Sequence, residues 1–189
     1  MNGIVTADTH FGHAKVAQLR GFSNVEDHDT QIITNINRAV SHPDMDVFIL
    51  GDVMMGDRVR GMECLQAIKG RVHIILGNHD REHPLNSNGH NHQTLGNVVH
   101  SVSMAGKVKS KKGATFLLSH FPYEGDHTDE DRFDQWRLRD MGVPLLHGHT
   151  HSSKVETRTS KGTRQIHVGL DAWYLKPVSL AYLFSHLTS

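Results

Sequence analysis

Histidine is the reactive side chain in excess here: there are 17 of them in 189 residues, against 20 lysines and arginines together. Many of them fall with carboxylates into five short runs: Asp8-Thr9-His10, Gly51-Asp52, Gly77-Asn78-His79-Asp80, Ser119-His120 and His147-Gly148-His149-Thr150-His151. Taken singly, an Asp after an apolar run is an ordinary turn residue, and a lone histidine is usually a hydrogen-bonded structural group. Taken together, imidazole, carboxylate and amide oxygen without thiolate form a donor set for manganese, iron, nickel, cobalt or zinc at five or six ligands, with water completing the shell. Cys64 is the only cysteine, so neither an internal disulfide nor a thiolate cluster is available.

Each run follows an apolar segment of β type, at residues 4–7, 47–50, 72–76, 116–118 and 145–146. Ligands of open α/β sheets bind beyond the carboxyl ends of the strands, so five strand ends would aim at one place. Between the first two segments, Ser23-x-x-Glu26 reads as a capping box, and Ile32, Ile33, Ile36, Ala39 and Val40 share one helical face that Pro43 closes. Met62, Leu65 and Ile68 repeat at helical spacing before Gly70, as core packing requires. Two hairpins are expected later: 98–104 with 114–119 around a Lys-rich turn, and 154–159 with 165–168 around Ser160-Lys161-Gly162-Thr163. The pattern is α/β, in a single domain spanning 1–189.

Acidic and basic residues cancel at 20 each. Balanced charge gives no general attraction to a nucleic-acid polymer or an anionic membrane, so phosphate specificity must come from a local site. No apolar run approaches 18 residues and the start lacks a basic, then apolar, export pattern, so a cytoplasmic protein without a membrane partner is expected. Lys107, Lys109, Lys111 and Lys112 read as a solvated hairpin tip. The acidic stretch 124–134 reads as a solvated surface loop. Were it to overhang His120, it would repel a long polyanion and favour a small phosphoester.

In order and type, the five runs resemble the motifs of the calcineurin-like metallophosphoesterases: D-x-H, G-D, G-N-H-[DE], a later His, and G-H-x-H. The match runs from Asp8 to His151. The tail Val168-Gly169-Leu170-Asp171-Ala172-Trp173, with Pro177-Val178-Ser179-Leu180, looks like the end of a small bacterial and phage branch. The resemblance implies a four-layer α/β/β/α sandwich holding two divalent ions, manganese foremost, with iron, nickel, cobalt or zinc as alternatives. By it, Asp8, His10, Asp52 and His151 would hold one ion, and Asp52, Asn78, His120 and His149 the other, with Asp52 bridging. A hydroxide bridging the ions would attack phosphorus, and His79 would protonate the leaving oxygen.

Asp80 is expected either to orient His79 or to cap the turn. Asn78 and His79 would also touch substrate, and His13 would either do so or open a short helix. His147 is a candidate outer partner of the ligands, while His83, His90 and His92 read as solvated. The serine/threonine phosphatase form of the second motif, G-D-x-x-D-R, is not met: Met55 stands where the second Asp would support the catalytic histidine. The expected activity is hydrolysis of small phosphodiesters such as cyclic nucleotides. A nuclease or a dinucleoside-polyphosphate hydrolase would use the same ions, and a non-catalytic protein-binding scaffold is the reading that retention of His79 opposes. Oligomeric state is not legible.

Overall fold

The computed structural model describes residues 2–87, 89 and 93–186. The first half runs β1 (Gly3–Thr6), α1 (Ala14–Leu19), α2 (Val25–Ala39), β2 (Asp46–Leu50), α3 (Arg58–Ala67), β3 (Arg71–Ile75), α4 (Gln93–Gly96) and β4 (Ser101–Ser103). The second runs β5 (Gly106–Lys109), β6 (Thr115–Leu118), β7 (Leu145–His147), β8 (Glu156–Arg158), β9 (Arg164–His167), β10 (Val178–Ser179) and α5 (Leu180–His186). These strands form two five-stranded sheets, ordered β10-β1-β2-β3-β4 and β5-β6-β7-β9-β8. The pairs β1–β2, β2–β3 and β3–β4 are parallel, as are β6–β7 and β7–β9.

Continuous apolar runs in β1, β2 and β3 follow from burial on both faces. Ile4, Val47, Ile49, Val72 and Ile74 pack with Ile32 and Ile36 of α2 and Leu65 of α3. Their neighbours Val5, Leu50 and Ile75 face Val108, Phe116, Leu118, Leu146 and Ile166 of the second sheet. Because side chains alternate with period two, one strand serves both cores.

The α2 cap is Asn24, one residue beyond the expected Ser23: its Oδ1 accepts the Asp27 N–H at 2.7 Å. Asp57 caps α3, accepting from Arg60 N at 3.1 Å. The first expected hairpin is corrected. β4 joins the first sheet beside β3, and the antiparallel partner of β6 is β5. Val102 packs into the helix-side core, which draws that stretch away from the second sheet. Lys107 and Lys109 therefore lie within β5, and the turn closes at Ser110 N to Ala114 O, 2.8 Å. The second hairpin forms as expected, β8 with β9.

The connection between β6 and β7, whose helical part is one 3-10 turn, Asp134–Trp136, lies over part of the outer face of the second sheet. Buried Gln165 of β9 exchanges hydrogen bonds with the Glu124 backbone, both 3.0 Å, and anchors that cover. Among the described residues, no helix is long and apolar enough to cross a membrane.

Candidate metal centre

Two strand exits are stitched together before any side chain is placed. Past β1, Asp8 N donates to Gly51 O at 3.0 Å and His10 N to Asp52 O at 2.9 Å, so the first two motifs run side by side. Asp8, His10, Asp52, His149 and His151 all sit at positive φ, 58°, 47°, 51°, 70° and 48°. A left-handed backbone costs a non-glycine residue about 1–2 kcal/mol. Five such residues concentrated at the strand exits mark a site that the surrounding sheets hold against local preference. The motif glycines are equally constrained: a Cβ on Gly51 would strike the His120 ring, and one on Gly77 would strike Asp52 Oδ1.

The side chains converge. Asp8, His10, Asp52 and His151 each offer a ligand atom, all within 4.8 Å of one another. His10 Nε2 lies 3.3 Å from His151 Nε2 and 3.8 Å from Asp52 Oδ2. On the other oxygen of the same carboxylate, Asp52 Oδ1 is 3.5 Å from His120 Nε2, which is 3.0 Å from Asn78 Oδ1. The His120 Nδ1–H donates to Leu50 O at 2.9 Å, which leaves Nε2 as the free lone pair. His149 packs against His120 with ring centroids 5.1 Å apart, and its Nε2 is turned to Asp126 Oδ2 at 3.1 Å.

The charge balance calls for cations. Asp8 and Asp52 are buried, and among the described residues neither carboxylate is paired with a lysine or arginine. Burial and the neighbouring Asp8 charge push Asp52 up to about 7. Burial, with His120 beside it, pushes His149 down to about 4. Carboxylates short of positive charge, beside the His10, His120 and His149 imidazoles that burial pushes toward the neutral form, are what a pair of divalent cations would satisfy, and the oxygen and nitrogen donors suit such ions.

Residues 1–186 match the calcineurin-like phosphoesterase superfamily domain. The chain belongs to that superfamily. It is 45% identical over 177 residues to the Gene 66 protein of Mycobacterium phage D29, covering 89% of this chain and 87% of that one. The Gene 66 protein of Mycobacterium phage L5 is 41% identical over 181 residues, with 89% and 86% covered. A protein of unknown function from Aquifex aeolicus, AQ665, shares the fold at a TM-score of 0.71 and 21% identity, over 97% of this chain and 98% of that one. A solved archaeal phosphodiesterase overlaps at a TM-score of 0.50 and 15% identity, over 89% and 84%.

Around the centre of this calcineurin-like phosphoesterase domain, the remaining candidates separate. His79 is exposed, with Nε2 4.0 Å from Asp52 Oδ2, and its backbone N–H donates to Asp52 Oδ1 at 2.9 Å. The Asp80 carboxylate accepts from Gly77 N at 2.7 Å, Asp52 N at 3.0 Å and Val53 N at 2.8 Å. Of its two expected roles it takes the turn-capping one; its oxygens hold backbone, not the His79 ring. His13 is the N-cap residue of α1 and also stands 5.7 Å, centroid to centroid, from His10. His147 is buried, its Nδ1 bonded to Gly148 O at 2.8 Å and its ring 5.5 Å from His167, so it supports the loop and not a ligand side chain.

The solvated reading of His83 is corrected. Its ring is buried edge-on against Trp136 at 4.9 Å, because Leu85 N donates to its Nδ1 at 3.1 Å and folds the loop over it. His90 and His92 lie outside the described residues. Asp126 corrects the solvated reading of the acidic stretch: its side chain is fully covered and binds Arg132 at 2.9 Å, Arg137 at 3.3 Å and His149.

Asp171, quoted above only within the tail, carries a role not expected from the sequence. Its Oδ2 takes the His151 Nδ1–H at 2.8 Å, and its two oxygens take a fork from Arg20 at 2.8 and 2.9 Å. Arg20 also donates to Asp8 O at 2.8 Å. A signal was present, since Asp171 follows β9 by the same strand-exit rule as the other motifs.

Proposed function

We propose that the chain is a two-metal phosphoesterase acting on small phosphodiesters such as cyclic nucleotides. The observation that carries this reading is the placement of Asp52, one oxygen toward His10 and the other toward His120, as a bridging carboxylate requires. Asp8, His10, Asp52 and His151 would hold one ion. Asp52, Asn78 and His120 would hold the other, joined by His149 once it leaves Asp126. Manganese is the first choice, and iron, nickel, cobalt or zinc suit the same donors. When bound, the ions supply Lewis-acid chemistry, polarising the phosphate and lowering the pKa of solvent water.

The chain's own residues supply the rest. His79, exposed beside Asp52 and tethered through its backbone, would give its proton to the departing oxygen as the bond to phosphorus breaks. Asn78, His79 and His13 would border the phosphate, in keeping with the 5.7 Å between the His13 and His10 rings. A long polyanion is disfavoured by the acidic stretch folded against His149, whose neighbours Asp129, Glu130 and Asp131 face solvent. Steady-state rates on bis-p-nitrophenyl phosphate, p-nitrophenyl phosphate and 2′,3′-cyclic AMP with added manganese test the reading. Turnover of the diesters is expected, and activity confined to the monoester would overturn the diester preference.

A further inference from the structure

Next to the centre, on the side of His79, lies a cavity of about 260 Å³ lined by Met54, Met55, Gly56, Arg58, His79 and Arg81. Met55 is exposed at 36%, and Arg58 is pinned in place by the buried carboxylate of Glu82, its Nη1 3.9 Å from Met54 Sδ. Elsewhere at the centre, the His127 ring, in the acidic stretch, stands 6.5 Å from that of His151.

We propose that this cavity seats the departing half of the substrate and that this half is a phosphorylated nucleoside. The inference rests on the phosphoesterase reading above, and deepens it by naming the leaving group. A leaving oxygen must lie within reach of its proton donor, so the group attached to it extends past His79. There it meets thioethers, which adapt to a flat ring, and planar guanidinium forks, which match a phosphate in two-point contact. The cavity, about 260 Å³, is of the size of one nucleoside. In the step itself, a solvent oxygen bonds to phosphorus, the phosphorus–ribose oxygen bond breaks, and the His79 proton passes to that ribose oxygen.

The experiment uses 2′,3′-cyclic AMP and its 5′-phosphorylated form, which share the same departing oxygen and differ only in the second phosphate, with manganese-loaded protein. The 5′-phosphorylated form is expected to show a kcat/KM about ten-fold higher, a ratio that falls toward one in Arg81→Ala and partly recovers in Arg81→Lys. Equal values in the unaltered protein would overturn the subsite. Calorimetric binding of adenosine 2′,5′-bisphosphate and adenosine 2′-monophosphate reads the same site without turnover. Tighter binding of the bisphosphate, lost in Arg81→Ala, supports the subsite, and equal binding overturns it. Turnover of bis-p-nitrophenyl phosphate separates the two readings. If the unaltered protein does not cleave it, the phosphoesterase reading fails on its own; if it does and the nucleotides behave alike, only the subsite fails.

Discussion

Each ligand side chain depends on one atom that faces away from the centre. His151 donates from Nδ1 to Asp171, so its Nε2 lone pair is left facing His10, and Arg20 fixes Asp171 in turn. Replacing Asp171 with Asn weakens that acceptor and frees the ring. Metal affinity measured by calorimetry is expected to drop about 10- to 100-fold while the far-ultraviolet circular dichroism stays native; unchanged affinity would remove Asp171 from this role. Asp52 and His79 make a contrasting pair. Asp52→Asn should strip both metals, read by elemental analysis. His79→Asn should keep the metals and slow hydrolysis about 100-fold, and an unaltered rate would exclude His79 as the proton donor.

The helices matter to the centre through the loop that follows β1. Asp29 of α2 accepts from Gly12 N at 3.2 Å, Arg60 of α3 at 3.0 Å and the neighbouring His28 at 2.9 Å, tying both helices to the backbone two residues beyond His10. Burial works against the Asp29 charge, but the hydrogen bonds from His28 and Arg60 outweigh it and hold the carboxyl below its ordinary 3.8. A carboxyl more acidic in the folded than in the unfolded chain contributes stability at pH above that ordinary value, and the contribution is lost as pH falls through the folded value. Asp29→Asn is expected to cost about 2 kcal/mol at neutral pH in urea denaturation, with the gap to the unaltered protein closing below about pH 4. A gap independent of pH would show that the charge is not what Asp29 contributes.

Across the whole molecule, the loop after β3 packs onto the cover of the second sheet through His83, wedged against Trp136 and Phe121. Burial pushes His83 from 6.5 down to about 4. Between those values the unfolded chain takes up a proton that the folded chain refuses, so stability falls as pH drops from about 6.5 to about 4. His83→Phe keeps the shape and removes the titration. The slope of stability against pH over that window should flatten in this variant, and an identical slope would place the acid sensitivity elsewhere.

How far the chain could be read without its fold follows from the range of each interaction. Short continuous apolar runs, each followed by Asp, Asn or His, are local patterns; they disclosed β1, β2, β3, β6 and β7 and the residues at their exits, because strand burial and ligand placement are both written within a few residues. Hydrogen-bond partners between distant segments leave no such mark. Asp126 bonds to His149 across 23 positions and Asp171 to His151 across 20, so an acidic stretch that reads as solvated and a tail that reads only as the end of a family branch become the supports of the centre on folding. The strand at Ser101–Ser103 is a further instance. It pairs with β3, and Val102 packs against the helix-side core, a contact between segments that the local pattern does not carry.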